Sequence, residues 1–142
     1  MAAARILCIG NRFVGGDDFG PRVYDTLAGM ELPTDVEIVD GGLAGLNLLR
    51  YLEDGRPVVF VDAVSGFAPA GEITIIDGDI IARQSTGRFG HEGGLPFLLQ
   101  ILPAVVDNPP PRIRLVGCEG GASDGAVLDA ARLSLQLALE AQ

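Results

Sequence analysis

Residues 57–62 read Pro57-Val58-Val59-Phe60-Val61-Asp62, an unbroken apolar run that ends in a carboxylate. A run without polar alternation is typical of a strand covered on both faces of a parallel sheet. On either side of it the apolar spacing changes repeatedly between strand-like runs and helix-like repeats. This alternation predicts an α/β protein with a mainly parallel sheet and helices on both faces.

The same patterns place the individual elements. Apolar residues at helical spacing predict helices near 19–30, 46–52, 95–102 and 127–135, whereas segment 77–92 is expected to be irregular. We expect Asp18 to cap the first helix and Ser123 or Asp124 to open the last. No repeat or linker divides the chain, so a single domain over residues 1–142 is expected. The predicted strands are 5–9, 36–39, 57–61, 72–75 and 113–117, of which 72–75 alternates like a half-buried edge strand.

Composition narrows the class of function. Hydrophobic residues make up 48% of the chain and charged residues 20%, values of a folded globular protein. The net charge of −9 argues against nucleic acid or an anionic membrane as partner. Apolar runs fall short of the roughly 18 residues of a spanning helix, and no signal peptide is evident. Two isolated cysteines, Cys8 and Cys118, suit a reduced cytoplasmic protein in which both act as small buried hydrophobes.

Carboxylates follow several predicted strands. Right-handed crossovers bring loop 10–18, the tip 40–42 and Asp62 to the carboxyl edge of the sheet, where α/β proteins bind ligands. Burying the Asp62 carboxylate is costly unless it is paired or binds a metal ion. The alternative is that it caps backbone N–H groups at the end of the strand. Asp40 precedes two glycines, which favours a role in a turn.

The first loop, residues 10–20, could be a phosphate cradle because it joins a strand to a helix. It lacks both G-x-G-x-x-G and a lysine followed by Ser or Thr, and its two aspartates would repel a phosphate. Nucleotide binding is therefore disfavoured. We assign Asp18 to capping and Asp17 to function, and the pattern alone leaves a purely structural role for the Asp17 carboxylate open.

His91 is the one histidine of the sequence and stands among glycines in Phe89-Gly90-His91-Glu92-Gly93-Gly94-Leu95. It could be an ordinary surface histidine. Together with Asp17 and Asp62, however, it would supply two oxygens and one nitrogen, a set that suits Ni²⁺, Zn²⁺ or Fe²⁺. Three protein ligands leave coordination positions open for chemistry. The H-E-x-x-H and G-x-S-x-G motifs are absent, and no serine or cysteine nucleophile is evident.

These motifs together resemble those of the nickel-iron hydrogenase maturation endopeptidases. The likeness follows the chain in order over roughly residues 4 to 117. The stretches that carry it are Gly10-Asn11, Gly15-Gly16-Asp17-Asp18-Phe19-Gly20, Asp40-Gly41-Gly42 with Ala44-Gly45 and Leu49, Val61-Asp62-Ala63, and His91 with Gly94-Leu95.

The resemblance implies a three-layer α/β/α sandwich on a twisted, mostly parallel five-stranded sheet with one antiparallel edge strand. It implies an endopeptidase that removes a C-terminal extension from a hydrogenase large-subunit precursor after nickel insertion. The metal-contacting and catalytic residues of the family would fall on Asp17, Asp62 and His91. Nickel would arrive in the substrate, so the free protein is expected to be largely metal-free.

Two departures from the family pattern keep alternatives open. The first loop is altered around Gly16-Asp17-Asp18, so Asp18 competes with Asp17 as the ligand. Only residues 118–123 separate the last strand from the last helix, which shortens one rim of the expected substrate groove. The alternative function is a non-catalytic metal-recognising assembly factor or metallochaperone of the same fold.

Overall fold

A computed structural model of the protein describes residues 3–43, 46–83, 95–106 and 111–141. A short 3-10 helix, Leu46–Tyr51, follows the second strand. Among the helices of the described ranges, none is both long enough and apolar enough to cross a membrane. The strands are β1 (Ala4–Ile9), β2 (Val36–Gly42), β3 (Val58–Val64), β4 (Ile73–Asp77) and β5 (Ile113–Glu119), and the helices are α1 (Phe19–Ala28), α2 (Gly78–Ala82), α3 (Leu95–Val105) and α4 (Asp124–Glu140).

The five strands form one sheet in the order β2-β1-β3-β5-β4. The pairs β1–β2, β1–β3 and β3–β5 are parallel, and β4 runs antiparallel to β5 at the edge. Helices α1 and α4 cover one face, and the 3-10 helix with α2 and α3 covers the other. The α/β/α architecture and the antiparallel edge strand are therefore confirmed.

The central strand explains the apolar run that it contains. All seven residues of β3 are buried, because successive side chains point alternately into the two helical layers. Val59 and Val61 pack towards α1 and α4, whereas Val58 and Phe60 pack towards α3. Asp62 lies on the same face as Phe60, inside the strand, since β3 continues to Val64.

Three local expectations need correction. Segment 77–92 was expected to be irregular, but residues 78–82 within it form the short helix α2. The element after β2 is a 3-10 helix of six residues, too short for a full amphipathic helix. Asp62 does not follow its strand, because backbone pairing with β5 continues through this carboxylate to the pair Val64–Glu119.

Candidate active site

The carboxyl ends of β1, β2 and β3 meet at one edge of the sheet. In the parallel register Cys8 lies beside Val61, so the loop that leaves β1 begins next to Asp62. The Gly10 N–H donates to the Gly42 carbonyl oxygen at 2.8 Å, which joins the loops after β1 and β2. Polar groups of three strands are thus collected at this edge, as the crossover argument predicts.

Asp17 is held over the end of β1 by a closed loop. The Asn11 N–H donates to the Asp17 carbonyl oxygen at 3.0 Å and lies 3.2 Å from the carboxylate oxygen Oδ2. Gly10 has φ +147°, and a Cβ there would collide with the Asp17 carbonyl. Glycine therefore permits the close approach, and Asp17 is half-buried at the edge.

Asp62 is the fully buried acid at this edge. Its side chain has 0% exposure, in the middle of an otherwise apolar strand. Its neighbour on β5 is Gly117, where an added Cβ would lie 2.8 Å from a methyl carbon of Val64. Removing a carboxylate from water costs several kcal/mol, roughly, unless polar groups or a cation compensate. Because burying a carboxylate does not favour folding, the position of Asp62 points to a functional role.

Asp18 occupies the N-cap position of α1 but does not cap it with its side chain. Its backbone, at φ −95° and ψ 8°, is not in the extended conformation typical of a capping residue, and Pro21 at the third helical position has no N–H to donate. The Asp18 carbonyl accepts from Arg22 N at 3.0 Å. The predicted side-chain cap is therefore wrong. At the last helix Ser123 is the cap, with its Oγ accepting from Ala126 N at 3.1 Å.

Asp40 lies inside β2, which continues to Gly42, so the turn that its glycines suggested is wrong, and its side chain bonds within the irregular end of that strand. Its Oδ1 accepts from Gly42 N at 3.3 Å, and its Oδ2 pairs with Arg12 at 3.0 Å. Arg12 also pairs with Asp25 of α1 at 3.2 Å. One arginine therefore ties the first loop to both α1 and the end of β2.

His91 lies outside the described residues. Within the described ranges, no group of three His, Cys, Asp or Glu side chains is arranged to hold a metal ion. The structure thus brings two of the three predicted site residues, Asp17 and Asp62, to one edge of the sheet. The joint site with the imidazole stays a prediction.

Glu119 is a residue at this edge that the sequence reasoning missed. Its carboxylate accepts from the N–H groups of Gly66 and Phe67 at 2.8 and 2.9 Å, and its side chain is 8% exposed. These charge-assisted bonds fix the chain as it leaves β3, close to Asp62. The available signal was an acid at the carboxyl end of a predicted buried strand, which is the argument applied to Asp62.

The two cysteines are not activated thiols. Burial raises the pKa of Cys8 far above its ordinary value, and burial with the nearby Glu119 carboxylate raises the pKa of Cys118. Both are buried and form no disulfide. The thiolate form needed for nucleophilic attack is therefore suppressed at both positions.

These features define an α/β protein with an acidic site at the carboxyl edge of a parallel sheet. The family model described as hydrogenase maturation protease matches residues 21–126. The hydrogenase expression/formation protein HupD of Rhodobacter capsulatus is 32% identical over 117 residues, 80% of this chain and 55% of the relative. A putative hydrogenase maturation protease of Methanocaldococcus jannaschii is 33% identical over 119 residues, 81% of this chain and 74% of the relative.

Comparison of the fold with solved structures also points to this family. The hydrogenase maturating endopeptidase HybD from E. coli superposes with a TM-score of 0.71 and 26% identity, covering 99% of this chain and 91% of that one. The chain belongs to the hydrogenase maturation protease family. It spans about half the length of the Rhodobacter capsulatus relative.

Proposed function

We propose that this protein is an endopeptidase that removes the C-terminal extension of a nickel-loaded hydrogenase large-subunit precursor. Membership of the maturation protease family carries this proposal. The completely buried Asp62, at the edge where α/β proteins bind ligands, supports it from the structure. We place the reaction in the cytoplasm, in keeping with two reduced cysteines in the chain.

In this proposal Asp17, Asp62 and His91 contact the nickel ion that the substrate carries. Carboxylate and imidazole ligands suit this borderline metal. Asp17 stands on a loop braced by backbone hydrogen bonds, and Asp62 stands on the central strand, so both oxygens are presented from rigid elements. Through the bound ion, the site would either polarise the scissile carbonyl or activate the attacking water. The thiols of Cys8 and Cys118 have no part in the reaction.

The test compares two forms of the same precursor, one loaded with nickel and one free of it but equally folded. Mass spectrometry after incubation reports the loss of the C-terminal extension. We expect trimming of the nickel-loaded form alone, because the ion completes the contacts of the three residues. Equal trimming of both forms would refute recognition of nickel, and trimming of neither would favour the non-catalytic assembly factor or metallochaperone.

Two variants make the same assay specific for the site. Asp62→Asn keeps the shape of the side chain but replaces a carboxylate by a poor ligand, and His91→Ala removes the imidazole nitrogen. We expect each to slow trimming at least about a hundredfold. Asp35→Asn, an isosteric change ahead of β2 at the opposite edge of the sheet, is the matched control. Normal trimming by either site variant would show that the assignment is wrong.

A further inference from the structure

Three large apolar side chains are exposed beside the proposed site. Phe13 is 90% exposed, Val14 48% and Leu43 56%. Phe13 and Val14 belong to the loop after β1, and Leu43 follows β2, so all three stand at the carboxyl edge. We call these three residues the apolar rim. Single exposed apolar residues are common, but a group of them next to a site marks a contact surface.

The apolar rim is built on a braced loop. The Phe13 N–H donates to the Asn11 side chain at 3.0 Å, and the Val14 N–H donates to the Asn11 carbonyl at 3.2 Å. Ion pairs from Arg12 to Asp25 and Asp40 secure the loop to α1 and β2. The backbone that carries Phe13 and Val14 is therefore held in place before binding, which lowers the conformational entropy that this loop loses when a partner binds.

The apolar rim is continuous with the proposed site. The Asp17 N–H donates to the Val14 carbonyl oxygen at 3.1 Å, within the same loop. On the other side, the bond from Gly10 N to Gly42 O lies one residue before Leu43. A polypeptide with its scissile bond near Asp17 would therefore pass beside the loop that carries Phe13 and Val14.

The charge around the apolar rim indicates the chemistry of that polypeptide. Loop 10–18 and the two residues that anchor it, Asp25 and Asp40, carry four carboxylates and one guanidinium, that of Arg12, which pairs with both anchors. Arg22 of α1 pairs instead with Asp124 at the start of α4. The net charge of the whole chain is −9. A segment with apolar side chains and neighbouring lysines or arginines would be complementary to this surface. The four carboxylates are those of Asp17, Asp18, Asp25 and Asp40.

We infer that the apolar rim docks an apolar, basic segment of the large-subunit precursor near its cleaved bond. This inference rests on the proposed function, because it takes the precursor as the partner. Aromatic side chains, phenylalanine included, are enriched at the contact surfaces between proteins. Phe13 and Leu43 would then determine substrate affinity, while Asp17, Asp62 and His91 serve the chemistry.

The experiment measures the Kd of the nickel-loaded precursor and, separately, kcat and KM of trimming. The double variant Phe13→Ser/Leu43→Ser should raise Kd and KM about tenfold and leave kcat within about twofold, because it removes binding but no reacting group. Val105→Ser is the matched control, since Val105 is 57% exposed at the far end of α3. Added salt should weaken binding by the wild type, as expected for a basic segment on an acidic surface.

The outcomes separate the two proposals. Unchanged Kd and KM in the double variant, with normal trimming by the wild type, would overturn the docking surface alone. Binding without trimming by the wild type would overturn the proposed function, and the Kd of the double variant would still decide the docking surface. Absence of both binding and trimming would overturn both. A wild-type dimer that the double variant dissolves would assign the apolar rim to self-association and likewise overturn the inference.

Discussion

At residue 20 the first helix touches the end of the first strand so closely that only a hydrogen atom fits. A Cβ at Gly20 would collide with the Ile9 carbonyl oxygen and lie 2.9 Å from Ile9 N. The neighbouring atoms are backbone of a buried strand and cannot move aside cheaply. The glycine thus fixes how near α1 stands to β1, and with it the position of the loop that carries Asp17.

Gly20→Ala is therefore expected to destabilise the protein by at least about 2 kcal/mol, a typical cost of overpacking. Urea unfolding followed by circular dichroism measures the change. Gly29→Ala at the end of the same helix is the control, since its nearest neighbours lie at 3.6 and 3.9 Å and its φ is −89°. Equal stability of the two variants would contradict the close contact at Gly20.

At the scale of elements, Arg5 joins three segments near the amino-terminal ends of β1 and β2, away from the proposed site. Its Nε pairs with Glu37 of β2 at 2.7 Å, its Nη2 pairs with Asp54 at 2.8 Å, and its Nη1 donates to the Tyr51 carbonyl oxygen. Strand β1 is thereby tied to β2 and to the turn after the 3-10 helix. These contacts serve the fold and do not touch the proposed active site.

This cluster makes the stability depend on pH in a defined direction. The hydrogen bond from Arg5 lowers the pKa of Asp54 below its ordinary value of 3.8. Because the folded-state pKa is the lower one, the stabilisation is present above the ordinary value and is lost as pH falls through the folded value. Asp54→Asn should therefore lower Tm at pH 7, and the difference from wild type should vanish in strong acid.

Thermal unfolding at a series of pH values from about 7 to 2 checks this expectation. Asp129→Asn on α4 is the control, because this exposed carboxylate has no hydrogen bond or ion pair to any residue that the structure describes. A Tm difference for Asp54→Asn that persists unchanged at pH 2 would contradict the role of the Arg5 pair. Trimming of the precursor at neutral pH should be unaffected.

The elements show what the sequence could and could not specify. The continuous apolar run of β3 and the helical spacing of apolar residues in α4 predicted both elements. The spacing of apolar side chains shows whether an element is buried on one face or on both. Helix α2 was missed since five residues are too few to display a helical period. The side-chain cap at Asp18 was wrongly predicted because the backbone of Asp18 is not extended, which the sequence does not show, and because Pro21 removes one of the two N–H groups that a cap can use.

At the scale of the whole molecule, the sheet topology does most of the assembly of the site. Parallel pairing of β1 with β2 and β3 is sufficient to bring Asp17, Asp40 and Asp62 to one edge. That grouping was predictable, because crossover handedness follows from general rules. The role of each carboxylate was less predictable from the sequence. Asp40 pairs with Arg12, and Glu119 holds the loop after β3 through hydrogen bonds to residues that lie 52 and 53 positions away in the chain.

The same topology bears on where the proposed nickel ion would reside. Two carboxylates and one imidazole are fewer ligands than the four that hold a structural zinc ion. One oxygen of Asp17 lies 3.2 Å from the Asn11 N, a bond that orients the carboxylate and leaves other lone pairs for a metal. Ordering the groups around an ion would cost conformational entropy, about 1–2 kcal/mol per residue fixed. A substrate that brings nickel with its own ligands avoids most of these costs.

We therefore expect the purified protein to contain well under one nickel ion per chain, about 0.1 or less after dialysis, because the free protein would have to order the proposed ligands around the ion without the ligands of the substrate. Inductively coupled plasma mass spectrometry of the free protein and of its complex with loaded precursor measures the content. Nickel should appear in the complex in a one-to-one ratio and leave with the trimmed large subunit. Asp62→Asn is the matched variant, and its free form should have the same low content as wild type. A stoichiometric ion in the free wild type that is lost in Asp62→Asn would mean that the metal belongs to the protease, and substrate-borne nickel would have to be abandoned.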